Sequence, residues 1–319
     1  MRIVLSALTW IGAHARGLIA VAPIVALFLT DLSTLLRPAL PFLVTLVYAT
    51  AMMRIDLGAV TREALQPKTL LINLTITFVF MVCMPAVFYL IAQVLRFPPE
   101  AQAALVYGAV APPFGSAAAV CLLLGANAAL ALQLSVLSAL AAPIIGPWVA
   151  ELLLGEALEI EPLTLGLRIA AMLGAGAVIA ILGRRLLRPS RIARHAKAFD
   201  GAAAAIMILF VFPLFDGVWD MIAADPWRAA AVLAMVFAAN LAVQLIVVFG
   251  STGAVGVETA GALGVCMGNR NVALYLAALP PSPFFTLFVA LYQIPMYLTP
   301  VVMRTAMQIC RDLQTRRTL

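Results

Sequence analysis

Residues 264–278 read Gly-Val-Cys-Met-Gly-Asn-Arg-Asn-Val-Ala-Leu-Tyr-Leu-Ala-Ala. Apolar residues flank the stretch on both sides, which places it at membrane depth. Gly264, Gly268, Asn269, Arg270 and Asn271 interrupt it. Glycine in a helix interior costs about 1 kcal/mol relative to alanine, and asparagine competes with the helix for backbone hydrogen bonds. The stretch therefore predicts two half-helices joined by a short unwound piece. An arginine at the bilayer centre costs at least roughly 2.5–3.5 kcal/mol. A chain that keeps one there has a use for it.

Outward from this stretch, the composition fixes the class. Of 319 residues, 64% are hydrophobic and 11% charged, and the mean hydropathy is +1.08. A soluble domain of this size could not solvate so much apolar surface. The chain reads as an all-α polytopic protein of the plasma (inner) membrane, with the lipid bilayer as its first partner. Ten apolar spans are predicted, near 17–34, 38–53, 69–94, 99–124, 127–154, 163–183, 201–222, 228–249, 256–279 and 283–306. Short connections separate them, several marked by proline: Pro67, Pro98-Pro99, Pro162, Pro226 and Pro280-Pro281. Ahead of them, Arg2, the apolar run 3–12 and Ala13-His14-Ala15 have the outline of a signal peptide. An uncleaved helix lying at the interface fits the charge topology better.

With ten spans both termini share one side. That side collects Arg2, Arg16, Arg54, Arg62 and Lys68, the run Arg184, Arg185, Arg188, Arg191, Arg194 and Lys197, and Arg304, Arg311, Arg316 and Arg317, fifteen of the twenty basic residues. The other side holds Arg37, Arg96, Arg168 and Arg228, together with the acids Glu151, Glu156, Glu159 and Glu161. The positive-inside rule puts both termini in the cytoplasm. The basic run at 184–197 is read as a topology-fixing loop that touches anionic headgroups, not as a nucleic-acid site.

The fourth span is interrupted as the ninth is. Its break is Ala111-Pro112-Pro113-Phe114-Gly115-Ser116, and two consecutive prolines cannot continue a helix. Five spans, an acidic outer loop and five more spans suggest a repeat: residues 1–160 carry an N-terminal interfacial segment and one five-helix unit, and residues 161–319 a second unit and a cytoplasmic tail. Five is odd, so the repeat is inverted in the membrane. Broken helices at matching ordinals of inverted halves point to a transporter's binding site.

These residues also resemble a known family. The run 112–147, Pro-Pro-Phe-Gly-Ser through Gly125-Ala126-Asn127 to Ala142-Pro143, looks like the fourth and fifth spans of the bile acid:sodium symporter family. Gly268 to Ala278, with Asn271 followed by Ala273-Leu274, is similar to that family's ninth-span crossover, and Met84-Pro85 fits its third span. The resemblance implies spans 1, 2, 6 and 7 as a panel and spans 3–5 with 8–10 as a core. Helices four and nine would cross where they unwind, two sodium ions would sit behind the crossing, and an organic anion would bind in front. The chain departs from the family at the sodium ligands. Ala117 and Ala118 stand where the pattern has Ser-Asn, Ala131 where it has Ser, Cys266 where it has Glu, Arg270 where it has Gln, and Phe80 where a third-span Gln aligns; Ser135 keeps a hydroxyl. Sodium is a hard cation that wants oxygen ligands, and a fixed guanidinium would repel it.

Other constellations are weaker. Asp216 and Asp220 have a magnesium-pair spacing but no further acids nearby, so they read as a polar helix end. Cys83, Cys121, Cys266 and Cys310 read as buried thiols; a soft-metal site at Cys121 and Cys266 is the alternative. His14 and His195 lack a nucleophile partner. Asn240 and Gln244, one helical turn apart, read as interhelical hydrogen-bonding groups. No cofactor, metal site, nucleic-acid partner or catalytic set is expected. The expected function is secondary transport of a small organic anion, a carboxylate or sulfonate, without sodium coupling. The alternative is a non-transporting membrane protein of the same fold, acting as a sensor or a subunit of a complex. The expected site comprises Pro112, Pro113, Gly115, Ser116, Asn127, Ser135, Cys266, Gly268, Asn269, Arg270 and Asn271. There Arg270 stands in for a sodium ion, with its donors met by unwound carbonyls and by Asn127, Asn269, Ser135 or Asn271.

Overall fold

A computed structural model of the chain describes residues 2–53, 66–155, 160–187 and 196–318. Arg54, Arg62, Glu156, Glu159, Arg188, Arg191, Arg194 and His195 lie outside these. Among the described residues the regular elements are all helical, and the sole β-pairing is one isolated bridge. Among the described residues seven helices are long and apolar enough to cross a membrane: Thr30–Met53, Pro67–Val94, Ala128–Leu154, Pro162–Leu186, Ala196–Ala224, Pro226–Val255 and Pro283–Arg316. This is an integral membrane protein.

Two compact units form, each drawing on both sequence halves. One comprises residues 1–55 and 169–226, the other residues 56–168 and 227–319. The first unit contains α1 (Arg2–Phe28), α2 (Thr30–Leu36), α3 (Leu40–Met53) and α10 (Ala196–Val211), whose last turn tightens to a 3-10 helix at Phe212–Phe215, followed by α11 (Val218–Ala224). Helix α9 (Pro162–Leu187) contributes to both units. The first predicted span ends early. Helix α1 stops at Phe28, and α2 starts at Thr30 with Asp31 in its first turn, where an acid suits the helix dipole. Pro38 does not end the helical run, because it sits in the first positions of a 3-10 turn, Arg37–Ala39, where no N–H is required. Helix α1 is bent by 90° between Ala15 and Gly17. Its N-terminal arm lies against α10 at two glycines. A Cβ on Gly12 would strike the Lys197 carbonyl, and one on Gly201 the Leu8 carbonyl. Asp216 accepts a hydrogen bond from Thr34 Oγ1 at 2.6 Å, which fits the polar helix end expected there. Among the described residues no three His, Cys, Asp or Glu side chains gather into a metal site.

The second unit holds α4 (Pro67–Phe78) and α5 (Met84–Val94), joined by a π-helical turn at Val79–Cys83; α6 (Pro99–Val110); α7 (Ala117–Leu124); α8 (Ala128–Leu154); α12 (Pro226–Phe237) and α13 (Val243–Val255), joined by a second π-turn at Ala238–Ala242; α14 (Val257–Gly268); α15 (Val272–Ala278); and α16 (Pro283–Thr318). Helix α7 ends in a Schellman motif: Gly125 is left-handed (φ 65°), and the Ala126 N–H reaches back to the Cys121 carbonyl. Two residues on, Asn127 caps α8 by accepting from the Leu130 N–H at 3.0 Å. Gly264 and Gly268 let α14 lie directly on the α12–α13 helix. A Cβ on Gly264 would come within 2.9 Å of the Gln244 carbonyl, and one on Gly268 within 2.6 Å of the Asn240 carbonyl. This is the small-xxx-small solution to packing where lipid gives no hydrophobic drive.

Candidate functional site

The two interrupted stretches are broken helices, and the breaks meet. Helix α6 ends at Val110, and Ala111 is extended (φ −62°, ψ 143°). Helix α14 ends at Gly268, and Asn269 leaves helical geometry (φ −89°, ψ 88°). Between them Pro113 and Arg270 form an antiparallel bridge. The Phe114 N–H donates to the Asn269 carbonyl, and the Asn271 N–H to the Pro112 carbonyl, both at 2.8 Å. Each break thus satisfies part of the other's freed backbone, the condition for irregular chain at membrane depth.

Arg270 is 1% exposed, and carbonyls from three helices hold it. Its Nη2 donates to Ala109 at 2.6 Å and to Phe80 at 3.3 Å, and its Nη1 donates to Cys266 at 3.3 Å. Ala109 and Cys266 lie in the last turns of α6 and α14, where carbonyls lack partners within the helix and the dipole end is negative. The Phe80 carbonyl is free for a different reason. In the π-turn the Met84 N–H bonds the Val79 carbonyl, five residues back. The next donor in that register would be residue 85, and Pro85 has no N–H. The guanidinium also lies over the Phe80 ring, 5.7 Å from its centroid.

Beside the bridge, four buried side chains organise the Asn269 end. Asn240 Nδ2 donates to the Gly268 carbonyl at 2.9 Å and to Asn269 Oδ1 at 3.1 Å. Thr299 Oγ1 donates to the same Oδ1 at 3.0 Å, and Gln244 Nε2 bridges Asn240 Oδ1 and Thr299 Oγ1 at 2.7 and 3.0 Å. The Tyr292 hydroxyl donates to the Gly268 carbonyl. Asn240 and Gln244 thus tie α12–α13 to the crossing and to α16.

The expected site residues separate into two groups. Pro112, Pro113, Gly268, Asn269, Arg270 and Asn271 come together at the bridge, with Gly115 and Ser116 on its exposed flank. Cys266 is fully buried; its Sγ lies 3.9 Å from the Ala131 carbonyl and its own carbonyl touches Arg270. Asn127 is not at the crossing. It caps α8, and its N–H donates to the Glu258 carbonyl at 3.0 Å. Ser135 returns its hydrogen to the Ala131 carbonyl at 2.8 Å. Unwound carbonyls, together with Asn127, Asn269, Ser135 or Asn271, are the expected partners of the guanidinium; the carbonyls are found, and among the described residues its hydrogen bonds go to no side chain of those four. The reason is reach: the helix ends and the π-turn deliver carbonyls directly, while Asn127 and Ser135 are bound within their own helix and Asn269 is held by Asn240 and Thr299. Sequence reasoning missed Ala109, Tyr292 and Thr299. Ala109 carries no side-chain signal, and Tyr292 and Thr299 are ordinary residues in an apolar span.

No curated protein matches the chain. Residues 40–225 match the model of the sodium bile acid symporter family, a stretch that contains the first break and stops short of the second. That match covers more than half of the sequence, and it carries the fourth-span break on which the crossing is built: the chain belongs to the sodium bile acid symporter family.

Proposed function

We propose that the protein is a secondary transporter of small organic anions, carboxylates or sulfonates, that works without sodium, with Arg270 as a permanent cation at the helix crossing. Its family consists of transporters of the bile acid symporter kind and not of enzymes. The observation that carries the reading is the set of three carbonyls, from Phe80, Ala109 and Cys266, turned onto one buried guanidinium. Converging carbonyls are what a hard cation would otherwise recruit. Arg270 supplies the charge covalently, and Ala117, Ala131 and Cys266 bring no oxygen ligand by side chain. We read the seven long helices, the bent N-terminal pair and the two broken spans as ten crossings arranged as inverted five-helix repeats, with core and panel. Matching irregularities support the repeat. Spans three and eight each carry a π-turn, spans four and nine each break, and spans five and ten each contain two prolines, Pro143 and Pro147 against Pro295 and Pro300.

The test is uptake of labelled taurocholate and of smaller carboxylates into proteoliposomes, with sodium replaced by potassium on both sides. Equal uptake in the two salts is expected. Uptake or affinity that rises several-fold with sodium would refute the reading.

A further inference from the structure

Among the described residues five buried side-chain atoms find no hydrogen-bond partner in the protein: Thr77 Oγ1, Ser138 Oγ, Gln244 Oε1, Arg270 Nε and Tyr275 Oη. All lie in the second compact unit. Such groups are rare in folded proteins, and each calls for a ligand or an explanation. Gln244 belongs to the amide network. The other four are hydroxyls and an N–H, all able to donate, and one of them belongs to a full positive charge.

Thr77 and Ser138 depart from what their neighbours do. Helical serines and threonines return their hydrogen to the carbonyl four residues back, as Thr75, Ser135, Ser251 and Thr252 do here. Thr77 and Ser138 do not. Register sets both in the stretch of the unit that holds the guanidinium. Cys266 Sγ faces the Ala131 carbonyl, and the Tyr275 hydroxyl lies against Gly146. These two contacts fix the α14–α15 span along α8. In sequence Arg270 lies between Cys266 and Tyr275, and Ser138 between Ala131 and Gly146, so both fall within the stretch bounded by these two contacts. Helix α8 also packs on the π-turn and on α6, the elements that supply the Phe80 and Ala109 carbonyls. Thr77 is one turn before Phe80 in its own helix.

We propose that Arg270 Nε and the hydroxyls of Thr77 and Ser138 form a binding site for one halide ion, chloride in the first instance. The charge argument is direct. Arg270 is an always-charged group whose partners are three neutral carbonyls, and its side chain has no carboxylate partner among the described residues. A buried charge is strongly unfavourable unless compensated. Donors with no competing carboxylate select an anion. Exposure of 2%, 0% and 1% for Thr77, Ser138 and Arg270 restricts it to a small ion that sheds its water. The inference stands on this packing and not on transport. Where the transport reading also holds, halide and organic anion draw on one charge and oppose each other's binding.

The experiment uses the full chain purified in detergent, with sodium fixed and the anion changed from gluconate to chloride to bromide. The expected result is a saturable rise in melting temperature with either halide, absent in Arg270→Gln. Loss of one hydrogen bond to a charged ligand predicts about tenfold weaker half-saturation in Ser138→Ala, a variant that removes one oxygen and leaves the charge in place. Bromide-soaked crystals are expected to show an anomalous peak beside Arg270 Nε. A melting temperature that ignores the halide, a response unchanged in Ser138→Ala, or the lack of that peak would each overturn the proposal and leave ordered water as the partner of these groups. No arm contains an organic anion, so these outcomes do not depend on whether the protein transports.

Discussion

Arg270 concentrates the consequences of the fold at one residue. Replacing it by glutamine leaves an amide with two donors, too short to span carbonyls from three helices. A buried carbonyl left unpaired costs about 1–3 kcal/mol. We expect Arg270→Gln to lower stability by about 2–5 kcal/mol, and added sodium not to restore it, because the remaining oxygen ligands are absent. An unchanged melting temperature would mean that the guanidinium does not hold the crossing. Gly268 gives a second residue-scale test. Its missing Cβ is what lets the Asn240 carbonyl approach to 2.6 Å of that position, and a backbone atom cannot swing aside. Overpacking costs typically 1–3 kcal/mol, so Gly268→Ala should be destabilising by that amount or more. Gly250, in α13, has no atom within 4 Å of its Cβ position. There the same substitution should be neutral or stabilise by up to about 1 kcal/mol, from helix propensity. Thermal unfolding of the two variants side by side distinguishes local packing from a general intolerance of larger residues.

At the scale of elements, the π-turn before Pro85 is a device for freeing a carbonyl. Proline inside a helix ordinarily costs about 3 kcal/mol, and removing it should stabilise. Here the opposite is expected. Pro85→Ala restores an N–H that competes with Arg270 for Phe80, so the variant should melt lower than the parent. A rise in melting temperature would show that the π-turn is not kept for the arginine. The breaks in spans four and nine were legible because proline pairs and the Gly-Asn-Arg-Asn run have no good helical alternative. The interhelical role of Asn240 and Gln244 was legible too, since isolated amides in an apolar span need partners. What supplies Arg270 was only half legible. Side chains announce themselves in a sequence, whereas a carbonyl is present at every residue, and only geometry tells which ones are free. The boundary between the first two spans was misread because Leu35 and Leu36 sit beside Arg37-Pro38, which looks like a stop, and the 3-10 turn carries the helix through it.

At the scale of the whole molecule, orientation in the membrane rests on where the basic residues lie. Four arginines violate the expected excess of basic residues on the cytoplasmic side, and three of them have specific partners. Arg37 Nη1 donates to the Pro213 carbonyl at 3.0 Å, Arg168 Nη1 to the Ala278 carbonyl at 2.9 Å, and Arg228 pairs with Glu100 at 2.6 Å while lying 5.3 Å from the Phe284 ring centroid. Arg96 holds a left-handed backbone (φ 56°) at the end of α5, where its N–H and that of Phe97 reach back to the Gln93 and Ala92 carbonyls. Three of the four minority arginines thus have a structural reason to be where they are. The topological bias carried by the other basic residues is therefore cleaner than the raw count, and on that ground we propose that both termini and the 184–197 loop face the cytoplasm. A reporter cysteine beside Lys197 should resist a membrane-impermeant maleimide in intact cells and react once the membrane is opened. A reporter beside Arg228 should react in both. Labelling of the Lys197 site from outside would invert the topology.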